Sequence, residues 1–371
     1  HQGSSKKIGA GLKDLIGKIK SGRANIGLSH EEALIGLQLT HSGRWSRPDK
    51  NGPSPRIAFR HPILDLKSGV KSDEALISDN ELAALPEHYT SASELASKAG
   101  FSFVDIKCCH GYLLHELLAA RSRPGPYGGS FKNRTRLFRN IVSSVRDACP
   151  DLEIGVRLSA TDLFPFSSNK DGLGKPKGLS NNLPYNLGFG IDKDNPLKPD
   201  FRETFDFLNL LNQMKINLVN ITIGSPYYTP HIQRPAAFPP SDGYLPPTDP
   251  LESVAAHINA VRLIKSSFPD LILVGSGYSY LQHWLPNVAQ YEVRNGHVDF
   301  VGLGRMVLSY PELPMDILKG NPIQKKKICR TFSDCTTAPR NGMASGCYPL
   351  DPYFRKRPEA IKIRSMRKAR R

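Results

Sequence analysis

The chain has 371 residues, 39% of them hydrophobic and 23% charged, which is ordinary globular usage, and no apolar run approaches the roughly 20 residues that cross a bilayer. The net charge of +16 is concentrated at the ends, with six Lys/Arg against Asp14 in residues 1–23 and fourteen against Asp334, Asp351 and Glu359 in residues 325–371. A neutral middle with basic, solvated tails argues against specific nucleic-acid recognition, and the lack of a long apolar run makes no membrane partner expected. Six cysteines include the adjacent pair Cys108 and Cys109 and show no regular disulfide spacing, so a reducing, cytoplasmic setting is expected.

Residues 1–32 read as a basic N-terminal segment in which Ile8–Ile19 makes a short amphipathic helix. Six β-branched runs then follow: Ala33–Thr40, Phe101–Cys109, Glu153–Ser159, Asn217–Gly224, Leu271–Gly277 and Phe300–Arg305. Most are apolar on both faces, as parallel strands covered by helices must be. Between them, Ser130–Ala148 sets Leu137, Ile141, Val142 and Val145 on one helical face, and Val254–Ser267 does the same with Val254, Ile258, Val261 and Ile264. The long Pro/Gly/Asn-rich stretches Ser42–Asp79, Ala160–Asp200 and Ser225–Pro250 each follow a strand, whereas helix-to-strand links such as Cys149–Leu152 are short. That asymmetry predicts an α/β fold of the TIM-type (β/α)8 barrel class, whose loops at the strands' C-terminal ends build the substrate site. The barrel is expected over residues 33–320, with 321–371 as a basic, cysteine-containing extension.

Each strand ends in polar or glycine residues: Gln38 with His41, Lys107 with His110, Arg157, Ser225, Ser276 with Gly277, and Gly304 with Arg305. The last two ends carry the clearest chemistry. Gly275-Ser276-Gly277 and Gly302-Leu303-Gly304-Arg305 let backbone N–H groups approach a phosphate, and Arg305 adds a guanidinium that pairs with phosphate oxygens. A phosphorylated cofactor or substrate is therefore expected from the residues alone.

The stretches LQLTHSGRW (37–45), HGYLLHELL (110–118), RPGPYGGSFKNRTRLF (123–138), GVRLS (155–159) and GLGRMVLSYPEL (302–313) together resemble the Old Yellow Enzyme / NADH:flavin oxidoreductase family, in the family's order. The resemblance implies a flavoprotein that binds FMN, uses NADH or NADPH as reductant, and reduces an activated alkene or related small-molecule acceptor. By the same resemblance Gln38 and Arg157 hold the polar edge of the flavin, and Ser276, Gly277, Gly304 and Arg305 hold its phosphate. Tyr112 is the implied proton donor. Lys107 and His110 fall where the family places paired donors to the substrate's carbonyl oxygen. The lysine departs from the usual histidine, so a cationic acceptor site is expected.

Two other departures stand out. Nothing in residues 1–32 matches the family's first two strands, so either these have been replaced or the chain lacks part of the barrel; the second reading is preferred. Some longer relatives carry an iron–sulfur cluster on four cysteines spaced roughly C-x2-C-x3-C-x11-C. Here Cys329, Cys335 and Cys347 lie in that region with Phe332 in place of the second cysteine, and no metal is expected. Two competing functions remain open: a Schiff-base lyase or aldolase using Lys107 at its strand end, and a non-catalytic truncated barrel. Homo-oligomerisation and the choice of nicotinamide are undetermined at this level.

Overall fold

The computed structural model describes residues 2–29, 31–48 and 52–368, so the last three residues of the basic tail lie outside the described residues. The chain divides into two compact units. One holds the residues up to Leu158 with Asn186–Phe189 and Asp206–Val219; the other holds Ser159–Tyr185, Gly190–Phe205 and everything from Asn220 on.

In the first unit β1 (Gly36–Leu39), β2 (Phe103–Cys108) and β3 (Glu153–Ser159, its last residue in the second unit) run parallel, and β1 pairs β2 with Gly36 opposite Phe103 and Gln38 opposite Asp105. Glycine is required at 36, because a Cβ there would stand 2.2 Å from the Phe103 ring. The β2–β3 register sets Lys107 opposite Arg157. Strand β2 alternates, with Val104, Ile106 and Cys108 buried and Asp105 and Lys107 half-exposed. It is thus not the doubly apolar strand that most of the runs suggest, since one of its faces carries polar groups.

Helix Asp79–Ala99 is opened by a reciprocal capping box between Ser78 and Glu81 and closed by Gly100 in the left-handed region. It packs on helix Arg136–Ala148, which buries Leu137, Ile141, Val142 and Val145 as its periodicity predicts, and on helix Gln2–Ala24. The first helix is therefore longer than the amphipathic stretch expected, and among the described residues the first strand begins at Gly36. Beneath these elements Arg44, nearly inaccessible, donates to Glu116 at 2.7 Å, to Asp65 at 2.5 Å and to the Phe59 carbonyl at 2.7 Å.

The second unit contains a short antiparallel hairpin, β4 (Phe166–Ser168) with β5 (Gly174–Pro176), inside the stretch expected to be a loop. Its backbone bonds the next long segment, through Phe166 N–H to Tyr228 O at 3.0 Å and Gly174 N–H to Leu245 O at 2.9 Å. Strand β6 (Leu218–Thr222) belongs partly to each unit, and β7 (Ile272–Gly275) pairs parallel with β8 (Phe300–Val301). β8 is only two residues long, and Gly302 just beyond it still donates its N–H to Gly275 O at 2.7 Å. Helix Pro250–Ser267 is capped by Asp249, with Pro250 at its first position, and buries Val254, Val261 and Ile264. No described helix is long and apolar enough to cross a membrane.

Candidate active site

The first unit brings Gln38, Lys107, His110, Tyr112 and Arg157 to the C-terminal ends of β1, β2 and β3. Gln38 donates its amide N–H to Asp105 Oδ2 at 2.6 Å. Burial pushes the Asp105 carboxyl above the usual range, against the opposing pull of Gln38, Arg157 and Lys107, and its second oxygen has no partner among the described residues. Lys107 Nζ lies 3.5 Å from the centre of the Tyr112 ring, a cation–π contact. Desolvation brings Lys107 down to about 8; Cys109 and Asp105 oppose that shift and Arg157 adds to it. The Nε of Arg157 is buried and lacks a hydrogen-bond partner.

A sharp turn aims this end of β2. His110 has φ 65° and Gly111 φ 73°, two left-handed residues in succession, the first in a region that residues with a side chain seldom adopt. Gly111 N–H donates to His115 Nδ1 at 2.9 Å, and burial lowers the pKa of His115 to about 3, so this imidazole is neutral. Tyr112 then enters helix Leu113–Leu118 as its N-cap.

The second unit carries the other expected group. Ser276 spends its hydroxyl on Ile221 O at 2.6 Å. Gly277 has φ 93°, and a Cβ on it would stand 2.7 Å from the His257 ring, so this turn admits only glycine. Gly304 leads into the short turn of helix Arg305–Leu308 with nothing within 4 Å of its Cβ position. Arg305 donates to Pro235 O at 2.9 Å, while its other terminal nitrogen is buried without a partner.

Sequence reasoning missed Asp105 and Arg234. Asp105 had a local signal, since it stands two residues before Lys107 on the same strand face. Arg234 had none: it is brought by the fold to Thr336 and Cys335, with Nη2 3.9 Å from the Cys335 sulfur. Burial, reinforced by Arg305 nearby, lowers its pKa to about 10. Cys329, Cys335 and Cys347 line one small cavity of about 20 Å³ together with Arg305 and Phe332. All three are free, and burial pushes Cys347 up to about 11. Among the described residues no group of His, Cys, Asp and Glu is disposed to hold a metal ion.

Parallel strands alternating with helices, their polar side chains gathered at the strands' C-terminal ends, define a (β/α)-barrel protein. A solved 2-naphthoyl-CoA reductase shares the fold with a TM-score of 0.63 at 17% identity, covering 93% of this chain and 45% of that one. Residues 27–171 match the model of the NADH:flavin oxidoreductase / NADH oxidase family, and over that stretch the chain is similar to members of it. An NADH:flavin oxidoreductase of Gibberella zeae is 31% identical over 150 residues, 36% of each chain. A protein of Oryza sativa subsp. japonica named as a 12-oxophytodienoate reductase is 24% identical over 311 residues, 81% of this chain and 69% of its own. The chain spans well under half the length of the first relatives it matches.

Proposed function

We propose that this protein is an FMN-dependent oxidoreductase that takes reducing equivalents from NADH or NADPH and reduces an activated carbon–carbon double bond, with Tyr112 as the proton donor. The observation that carries this reading is the grouping at the end of β2, where Lys107 lies over the Tyr112 ring and faces Arg157 across the ladder. The barrel is assigned to residues 33–320 and the basic extension to 321–371.

The residues present suit such a cofactor. Buried nitrogens without partners on Arg157 and Arg305 are donors in search of an anionic or carbonyl oxygen, since leaving them unpaired costs about 1–3 kcal/mol each. The Gly277 turn, closed to any Cβ, fits close approach of backbone to a phosphate. Gln38 and Arg157 would hold the polar edge of the flavin, and Ser276, Gly277, Gly304 and Arg305 its phosphate. FMN, when bound, supplies the hydride chemistry.

The chain's own residues then act on the acceptor. Lys107 and His110 donate to its carbonyl oxygen and stabilise the negative charge that develops there. Tyr112 gives its phenolic proton to one alkene carbon. His115, neutral and buried, positions the turn through Gly111 and takes no part in proton transfer. The test is to release the flavin by heat and identify it, then to follow bleaching of its absorbance by NADPH and its recovery with N-ethylmaleimide. FAD in the supernatant, or bleaching with no recovery by any activated alkene, would overturn the assignment.

A further inference from the structure

Lys107 is an amine with no salt bridge among the described residues, although Asp105 and Cys109 lie near enough to act on its charge. Among the described residues it makes no hydrogen bond and no ion pair; its Nζ rests on the π face of Tyr112. Asp105, two residues earlier on its own strand, is engaged by Gln38, and its partner across the ladder is the like-charged Arg157. A lysine kept for structure at such a place commonly finds a carboxylate within ion-pair distance, whereas here the half-buried ammonium loses hydration with the Tyr112 ring face as its direct contact. An unpaired, partly desolvated lysine at the C-terminal end of a barrel strand is instead the arrangement that makes an amine nucleophilic. With its pKa brought to about 8 by burial, on the order of a tenth of it is neutral at pH 7.

We propose that Lys107 captures conjugated aldehydes as a protonated imine on its Nζ. The neutral amine adds to the carbonyl carbon, forming the C–N bond while the carbonyl π electrons move to oxygen. The carbinolamine then loses water as the C–O bond breaks and the nitrogen lone pair closes C=N. In net terms one aldehyde and one ammonium give one iminium and one water, both hydrogens of which come from nitrogen; no oxidant or reductant is consumed. An iminium withdraws electrons from a conjugated double bond more strongly than the parent carbonyl, so the step would activate enals. This inference goes beyond the flavin reading, for the capture needs neither cofactor nor nicotinamide.

The full chain as purified is treated with substoichiometric trans-cinnamaldehyde and sodium cyanoborohydride, without NAD(P)H, and the adduct is located by peptide mass mapping. Labelling of the peptide containing Lys107 should run roughly tenfold or more faster than that of exposed lysines such as Lys13 and should vanish in Lys107→Arg, which keeps the charge. In the unaltered chain its rate should be half-maximal near pH 8. Adducts spread over surface lysines with Lys107 no faster, or a half-maximum near pH 10, would overturn the inference whatever the variant does. N-ethylmaleimide reduction by NADPH, measured alongside, reports the flavin reading separately because that acceptor has no aldehyde: labelling without reduction removes the flavin reading alone, and reduction without labelling removes this one.

Discussion

Tyr228 donates its hydroxyl hydrogen to Oδ2 of Asp162 at 2.9 Å, and the Leu163 N–H donates to Oδ1 of the same carboxyl at 2.9 Å. Burial outweighs both bonds and raises Asp162 to about 7. The folded protein thus keeps a proton that the unfolded chain, with an aspartate near 3.8, has lost. Stability from this group is fully present below about pH 4 and is lost as pH rises to about 7. Asp162→Asn stays neutral and should lack that loss, with a difference on the order of a few kcal/mol between pH 5 and pH 8.5. Thermal melts of both proteins at the two pH values measure it; a gap between them that does not change with pH would show that Asp162 is ionised throughout.

Arg44 holds two buried carboxylates, Glu116 and Asp65. Arg44→Met fills similar space but strands both charges, and should destabilise the chain by about 3–5 kcal/mol. The double change Arg44→Met with Glu116→Leu should recover part of that. Urea unfolding of the three proteins decides it, and a double variant no more stable than the single would show that Glu116 is not the stranded partner.

Tyr112→Phe removes the phenolic proton yet keeps the ring on which Lys107 rests. Reoxidation of reduced flavin by an activated alkene should slow by about 10²- to 10⁴-fold, while reduction of the flavin by NADPH barely changes. Stopped-flow absorbance separates the two halves. Equal slowing of both would assign Tyr112 to the architecture of the site rather than to proton transfer.

Arg305 has one guanidinium nitrogen on Pro235 O and another buried without a partner. Arg305→Ala should weaken flavin retention by roughly 1.5–3 kcal/mol, the worth of a charge-assisted bond. Ultrafiltration followed by fluorescence of the filtrate gives the dissociation constant. Retention equal to that of the unaltered chain would remove Arg305 from the phosphate site.

All six predicted strands are present, and the two predicted helices bury the faces their periodicity named except for Ile258, which is half-buried. These features were legible because alternation of strand and helix, turn residues and apolar spacing are local properties that the chain writes down residue by residue. The family motifs are local in the same sense, so Gln38, Lys107, Tyr112 and Arg157 could be named from spacing and resemblance. What tertiary structure decided is how these groups are charged and paired. That Gln38 engages Asp105, that Lys107 rests on the Tyr112 ring, that Arg234 meets Cys335 from 101 positions away, and that Asp162 keeps its proton against Tyr228 depend on register and burial. Ionisation follows from the loss of water around a group and from the charges the fold sets beside it, and neither exists until segments far apart in the chain have packed together.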